Sequence, residues 1–364
     1  MDVKKMKLVC NLAASVFIGV ISVGSAHALE VKPGGVIFAH YEYGTSQNLK
    51  DGTTSQNFNS FEVSRIYLNA EAKYDEKVSG YVNLEADLIS REGKNNRVFL
   101  KNAELRYAFN DAAKLYFGLV GMPWRAHEET VWHRFTSKDL EDIEGIGNAT
   151  DRGIKLSGKI PYLAYHAMIV NGAGTGADGT GSNEVTNFNG GGRLKDFVAM
   201  VSVIPFETLG DTLKGFKINF MGLKGDKDET TVRNRIFAGL SYDSKVFKAM
   251  FNYYNADDST YYPTAISVTG TKYAVLRREG FSTYAYYYPM ENFWIVGRWD
   301  RFIPNLDSTR AAGKDGYNKY IYGVGYQITK GVRFTLDHQY LQQDTQFPTQ
   351  ADESIFYLHT EVKF

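Results

Sequence analysis

Apolar and polar residues alternate with a period of two over most of the chain beyond about residue 36. Two adjacent stretches show it most plainly. Ile66, Leu68, Ala70 and Ala72 alternate with Arg65, Tyr67, Asn69, Glu71 and Lys73. Past Asp75-Glu76-Lys77, Val78, Gly80, Val82, Leu84, Ala86 and Leu88 alternate with Ser79, Tyr81, Asn83, Glu85 and Asp87. Successive side chains of an extended strand point to opposite faces, so each stretch carries one apolar and one polar face. The pattern predicts sixteen strands. The first covers about 36–43 and the next two are those just named. The others lie near 97–109, 114–121, 151–160, 163–171, 191–204, 215–224, 233–242, 246–255, 280–288, 292–302, 317–328, 332–341 and 353–364.

The connections alternate too. Short ones fall at 75–77, 110–113, 161–162, 243–245, 289–291 and 329–331, and longer polar ones at 44–59, 122–150, 172–190, 256–279, 303–316 and 342–352. Those at 90–96 and 225–232 are intermediate, and 205–214 is longer than a tight turn. Tight turns at one end and long loops at the other predict an all-β fold, a transmembrane antiparallel β-barrel. A soluble sandwich has regular turns but no reason to sort them by parity. Past residue 28 no apolar run reaches the roughly 18 residues a spanning helix needs, while a closed barrel spans with every backbone group paired. Sixteen is an even count and leaves an aqueous lumen. Tyr41, Tyr43, Tyr74, Tyr107, Tyr116, Tyr162, Tyr242 and Tyr284 to Tyr288 recur near strand ends, where interfacial girdles sit.

The ends refine this picture. In the final stretch Phe356, Leu358, Val362 and Phe364 share one face, with Tyr357, His359, Glu361 and Lys363 on the other. An amphipathic last strand ending in Phe resembles the terminal signature of bacterial outer-membrane barrels. That resemblance implies that Phe364 is an assembly signal read by the barrel-assembly machinery. At the other end, Lys4, Lys5 and Lys7 precede an apolar stretch from Leu8 to Val23 and then Ser25-Ala26-His27-Ala28, the pattern of a cleaved secretory signal over 1–28. Export predicts residence in the outer membrane in contact with its lipid, with 29–364 as the barrel domain. Cys10 leaves with the signal, which removes thiolate chemistry. The cut takes three lysines and one aspartate from 41 basic and 41 acidic residues, leaving 38 and 40. This near-neutral balance argues against a nucleic-acid partner.

Several segments carry a family resemblance: Phe61-Glu62-Val63-Ser64-Arg65-Ile66-Tyr67-Leu68, Leu100-Lys101-Asn102-Ala103-Glu104-Leu105-Arg106-Tyr107, Phe117-Gly118-Leu119, Asp151-Arg152-Gly153-Ile154-Lys155-Leu156-Ser157-Gly158 and Asn171-Gly172-Ala173-Gly174. They resemble the phosphate-selective porin O and P family, most strongly over about 60–175. The resemblance implies a sixteen-stranded, homotrimeric outer-membrane channel for small hydrophilic or ionic solutes, anions such as phosphate among them. It also implies that the third external loop folds inward and narrows the lumen. Here that loop is 122–150, between the fifth and sixth strands. Its polar residues are then the constriction candidates: Arg125, His127, Glu128, Glu129, His133, Arg134, Lys138, Asp139, Glu141, Asp142 and Glu144. Trp124, Val131, Trp132 and Phe135 supply apolar anchors.

Alternation places further charges on the inner wall: Arg65, Arg106, Lys155, Arg235, Arg298 and Arg333 against Glu71, Glu85, Asp87, Glu104, Asp300 and Asp337. Lys101 breaks phase, since it shares parity with Ala103, Leu105 and Tyr107. A charge facing lipid at mid-depth costs roughly 2–4 kcal/mol, so a bulge or a rim position is expected there. His127, His133, Glu128 and Glu129 match no standard metal-ligand spacing, so neither metal nor cofactor is expected. The other class this architecture admits is a barrel enzyme with catalytic residues at the extracellular rim. No Gly-x-Ser-x-Gly element occurs, and Ser137 near His133 is the nearest approach to such chemistry. The glycine-rich stretch 172–181 does not join a strand to a helix, so it predicts no phosphate cradle.

Overall fold

The computed structural model describes residues 30–48, 55–87, 97–172, 195–226, 232–258, 277–304, 306, 316–344 and 351–364. The expected signal 1–28, its Cys10 and most of the glycine-rich stretch lie outside them.

Sixteen strands form one closed antiparallel barrel. They are β1 (Glu30–Asn48), β2 (Ser55–Lys73), β3 (Val78–Asp87), β4 (Arg97–Asn110), β5 (Ala113–Gly121), β6 (Thr150–Ile160), β7 (Leu163–Val170) and β8 (Asp196–Val203). The second half is β9 (Phe216–Asp226), β10 (Val232–Asp243), β11 (Phe247–Asp257), β12 (Arg277–Met290), β13 (Phe293–Ile303), β14 (Tyr317–Thr329), β15 (Val332–Gln343) and β16 (Ala351–Lys363). Each strand pairs with its sequence neighbours, and β16 closes on β1 from Val36↔Lys363 to Asn48↔Ala351. Among the described residues three short helices occur, α1 (Pro123–Glu128), α2 (Leu140–Ile143) and α3 (Gly210–Leu213).

The tight turns show why they are tight. Asp75 Oδ1 accepts the backbone N–H groups of Lys77 and Val78, each at 2.7 Å, and so reinforces the β2–β3 turn, which the Tyr74 N–H also closes onto the Val78 carbonyl at 3.0 Å. Between β6 and β7, Tyr162 stands at φ 64°, a left-handed conformation that a two-residue reversal requires. Its N–H donates to Glu207 Oε2 at 2.6 Å, in the neighbouring β8–β9 connection that carries α3. β1 and β2 extend beyond their apolar stretch. Their pairing continues to Gln47↔Ser55, through residues expected to form a loop, because ladder bonds need no apolar side chains above the lipid band.

Two bulges set the faces. The β1–β2 register steps from Phe38↔Arg65 to Ala39↔Val63, which leaves Ser64 extra and turns both Val63 and Leu68 outward despite their opposite parity. The β3–β4 register steps from Asn83↔Asn102 to Leu84↔Leu100, so Lys101 is the extra residue. The bulge turns its ammonium to the inner face, 2.9 Å from Glu85 Oε2, as its broken phase required. The outer face carries exposed Leu105, Phe117, Ile154, Ile169, Phe197, Ile236, Ile295, Val324, Leu336 and Leu358. The buried side chains fall in two clusters, and both include residues of 122–149 packed on the opposite face of the wall.

Candidate functional site

The segment 122–149 joins β5 to β6 yet makes its main contacts with β10 to β15. Pro123 occupies the first helical position of α1, where a missing N–H costs nothing. That short helix aims Trp124 at Phe237 and Tyr254, with ring centroids 5.4 and 6.2 Å apart. Further along, Trp132 lies against Tyr284 and Tyr286. Wall side chains then hold the backbone of the segment. Arg298 donates to the Lys138 carbonyl at 2.7 Å, Arg235 to Ile146 at 2.8 Å, Arg278 to Glu144 at 3.0 Å and Gln339 to Thr136 at 3.1 Å. The His133 N–H donates to the Tyr286 hydroxyl at 3.1 Å, and Tyr317 donates to the Glu144 carboxylate. Arg298 stacks over Trp132 and Arg333 over Phe135, with the cation 4.8 and 4.6 Å from the ring centre.

Seven of the loop candidates converge. Arg125 Nε lies 2.6 Å from Glu141 Oε1, and its Nη1 lies 3.0 Å from Asp142 and 3.3 Å from Asp139. Asp142 is shared with Arg134 at 2.6 Å, and Arg134 also meets Glu129 at 3.3 Å. Glu128 completes the group: its Oε1 accepts from Asn252 at 2.8 Å, Tyr284 at 3.2 Å and Tyr254. Asp139 is 0% exposed and Glu141 1%, so these two carboxylates lie beneath the segment's surface. Glu129 is exposed, and Asp142 and Glu144 are partly so. Burial, reinforced by Asp139 and Glu141, holds the Glu128 carboxyl well above its ordinary range. Burial also pushes Glu141 up to about 7, against the pull of Arg125. For Asp142 burial works the same way, yet Arg125, Arg134 and Arg65 outweigh it and hold the carboxyl low.

The histidines stand apart. His127 packs edge-on against Trp124, and burial lowers it to about 3. His133 meets Tyr288 through Nε2 at 3.3 Å. Ser137 Oγ donates to the Lys138 carbonyl at 3.3 Å and accepts from Lys319 at 3.4 Å. Ser137 and His133 are thus engaged with other partners and do not form a nucleophile–base pair with each other.

The wall candidates are engaged, some with one another and some with other side chains or backbone. Arg65 meets Glu85 at 3.1 Å, Arg298 meets Asp300 at 2.7 Å and Arg333 meets Glu361 at 2.6 Å. Arg106 bridges Glu104 at 2.9 Å and Glu71 at 3.2 Å. Arg235 takes Asp258 at 2.7 Å, Asp337 faces His359 at 3.2 Å, and Asp87 lies 4.0 Å from Arg97. Lys155 donates to the Gly121 carbonyl at 2.9 Å and sits over the Tyr116 ring. Sequence reasoning missed Asn252, Tyr254 and Gln339, which receive the segment, and placed Tyr284 in an interfacial girdle, whereas it is buried against Trp132. Their only signal was inward parity on neighbouring strands.

No protein-family profile and no curated protein matches this chain. Solved structures do match it. Salmonella typhi OmpF, in complex with daunomycin, superposes with a TM-score of 0.64 at 11% identity, over 92% of this chain and 98% of that one. The outer membrane channel DcaP of Acinetobacter baumannii gives 0.60 at 12% identity, over 94% and 99%. An anion-selective porin from Comamonas acidovorans gives 0.59 at 9% identity, over 92% and 100%. At such identities the likeness is one of fold. The chain has the closed sixteen-stranded barrel fold seen in outer-membrane porins.

Proposed function

We propose that the protein is an outer-membrane channel through which small hydrophilic or ionic solutes diffuse. In this reading the segment 122–149 crosses the lumen and sets its narrowest point. One observation carries it: a segment leaving at β5 is buried in clusters with side chains of strands around the barrel, β10 to β14 among them, on the face opposite the exposed apolar band. A barrel of sixteen strands is wide enough to leave an aqueous passage beside such a segment. The fold likeness to OmpF, DcaP and the anion-selective porin supports the reading. Export through the 1–28 signal, insertion by the barrel-assembly machinery and a homotrimer belong to the same proposal.

Paired wall charges favour a weak ionic preference over a strong one. A filter selects by the field of charges facing the solute, and Arg65, Arg298 and Arg333 face carboxylates within 3.1 Å. Phosphate is then one permeant anion among several. Planar-bilayer recording of the refolded protein tests the proposal. Stepwise, ohmic conductance with a small reversal potential in a salt gradient is expected, and a membrane left silent by correctly inserted protein overturns it.

A further inference from the structure

Two arginines, Arg125 and Arg134, stand against four carboxylates: Glu128, Asp139 and Glu141, which are closed to water, and the partly exposed Asp142. With all four ionised, the group would carry two negative charges more than its arginines match. Nearby, Arg65 and Lys101 against Glu85 return one positive charge, and Arg298 with Asp300 returns none. Glu128, Asp139 and Glu141 each offer a carboxylate oxygen, and the three atoms lie within 4.8 Å of one another. Independently of that closeness, Asp139 Oδ1 and Glu128 Oε2 accept no hydrogen bond among the described residues, and Asp139 Oδ2 has only the Arg125 cation at 3.3 Å. Both residues are 0% exposed, and a bare carboxylate oxygen in such a place has lost its water without replacement.

We propose that Glu128, Asp139 and Glu141 hold a hard divalent cation of the calcium type, which fastens α1 to α2. An ion about 2.4 Å from each oxygen fits a ligand set of this width, and oxygen ligands are what calcium takes. The ion supplies the missing positive charge where the carboxylates lack donors. It also ties the two ends of the segment, which are otherwise joined chiefly through Arg125. Gly147 is part of the arrangement: a Cβ there would overlap the Glu141 carboxylate, so only glycine leaves that oxygen in place. The inference does not depend on the channel reading, since binding is read without current.

The test uses terbium in place of calcium, with the refolded full-length barrel in detergent. Trp124 lies beside Tyr254, whose hydroxyl donates to Glu128, so aromatic excitation should sensitise a bound terbium ion. Saturable emission at one ion per protomer, displaced by calcium, is expected. Glu128→Gln and Gly147→Ala should each weaken it at least about tenfold, while Glu76→Gln in the β2–β3 turn leaves it unchanged. Heat-modifiability on gels confirms that each variant has inserted and closed. The wild-type titration needs no variant: if terbium gives no saturable emission, protons rather than a cation neutralise the cluster and the inference falls. Emission undiminished in both Glu128→Gln and Gly147→Ala overturns it as well.

Discussion

The ring of Phe364 stands over the α-carbon of Gly35, across the seam where β16 meets β1. The two residues also exchange backbone hydrogen bonds, Gly35 N to Phe364 O at 2.9 Å and Phe364 N to Gly35 O at 3.1 Å. A Cβ on Gly35 would strike the ring, so the glycine is what lets the last residue lie flat on the first strand. The final pairing thus consists of one ring, one bare α-carbon and two bonds.

Phe364→Asp should therefore lower the heat-modifiable, membrane-inserted fraction several-fold, while the barrels that do form conduct like wild type. Gly35→Val should act in the same direction by lifting the ring. Gel assay of inserted protein, followed by recording from the survivors, separates assembly from pore properties. Equal insertion by Phe364→Asp would remove any special role for this contact.

The strand pattern was readable because lipid demands an apolar outer face, and a residue out of phase had to be explained. Lys101 shows this: its parity was wrong, and a bulge corrects it. The loop chemistry was not readable. Glu128, Asp139 and Glu141 were constriction candidates of one loop by resemblance, and only the fold of α1 against α2 brings the three carboxylates together. Wall pairs were hidden for another reason. Arg106 reaches Glu71 across β3, and that needs the register of three strands. The extension of β1 and β2 was missed because pairing above the lipid band leaves no apolar trace.

Glu85 accepts from Arg65 at 3.1 Å and Lys101 at 2.9 Å, all three side chains being largely buried. Glu85→Gln leaves two cations facing each other with no counter-charge. Breaking a buried pair in this way costs about 3–5 kcal/mol. The expected outcome is a lower urea midpoint for unfolding from micelles. A double variant, Glu85→Gln with Lys101→Met, should recover part of the loss, and an unchanged midpoint in the single variant would show that water reaches the site.

His133 gives the segment a pH dependence. Its ring lies 4.5 Å from Tyr286 and 5.3 Å from Trp294, and it faces Arg333, Lys248, Lys363 and Tyr288. Burial, with the cations Arg333, Lys248 and Lys363 adding, holds it well below the ordinary histidine value. When the segment is unseated, His133 binds its proton near pH 6.5. Between that pH and its lower seated value the unseated form carries more protons, so seating is fully stable above about 6.5 and weakens as pH falls. Open-channel noise should rise from pH 7 to pH 5. His133→Phe should abolish that part of the rise, and an identical pH response in the variant would assign it to other groups.

Ionic preference should follow exposure rather than charge count. Asp139 and Glu141 are buried, whereas the Glu129 side chain is 43% exposed and only loosely engaged by Arg134 at 3.3 Å. Water screens a buried carboxylate from the solute path less than it screens an exposed one, but Arg125 offsets part of the buried pair's charge at short range. Glu129→Gln should therefore shift the reversal potential toward anions with little change in conductance. Asp139→Asn should leave selectivity nearly unchanged and instead raise noise or conductance, because it loosens the tie between α1 and α2. Both variants are read in the same salt gradient. Should Asp139→Asn move the reversal potential more than Glu129→Gln, the buried carboxylates face the solute after all, and the narrowest point of the pore runs through the acidic cluster itself.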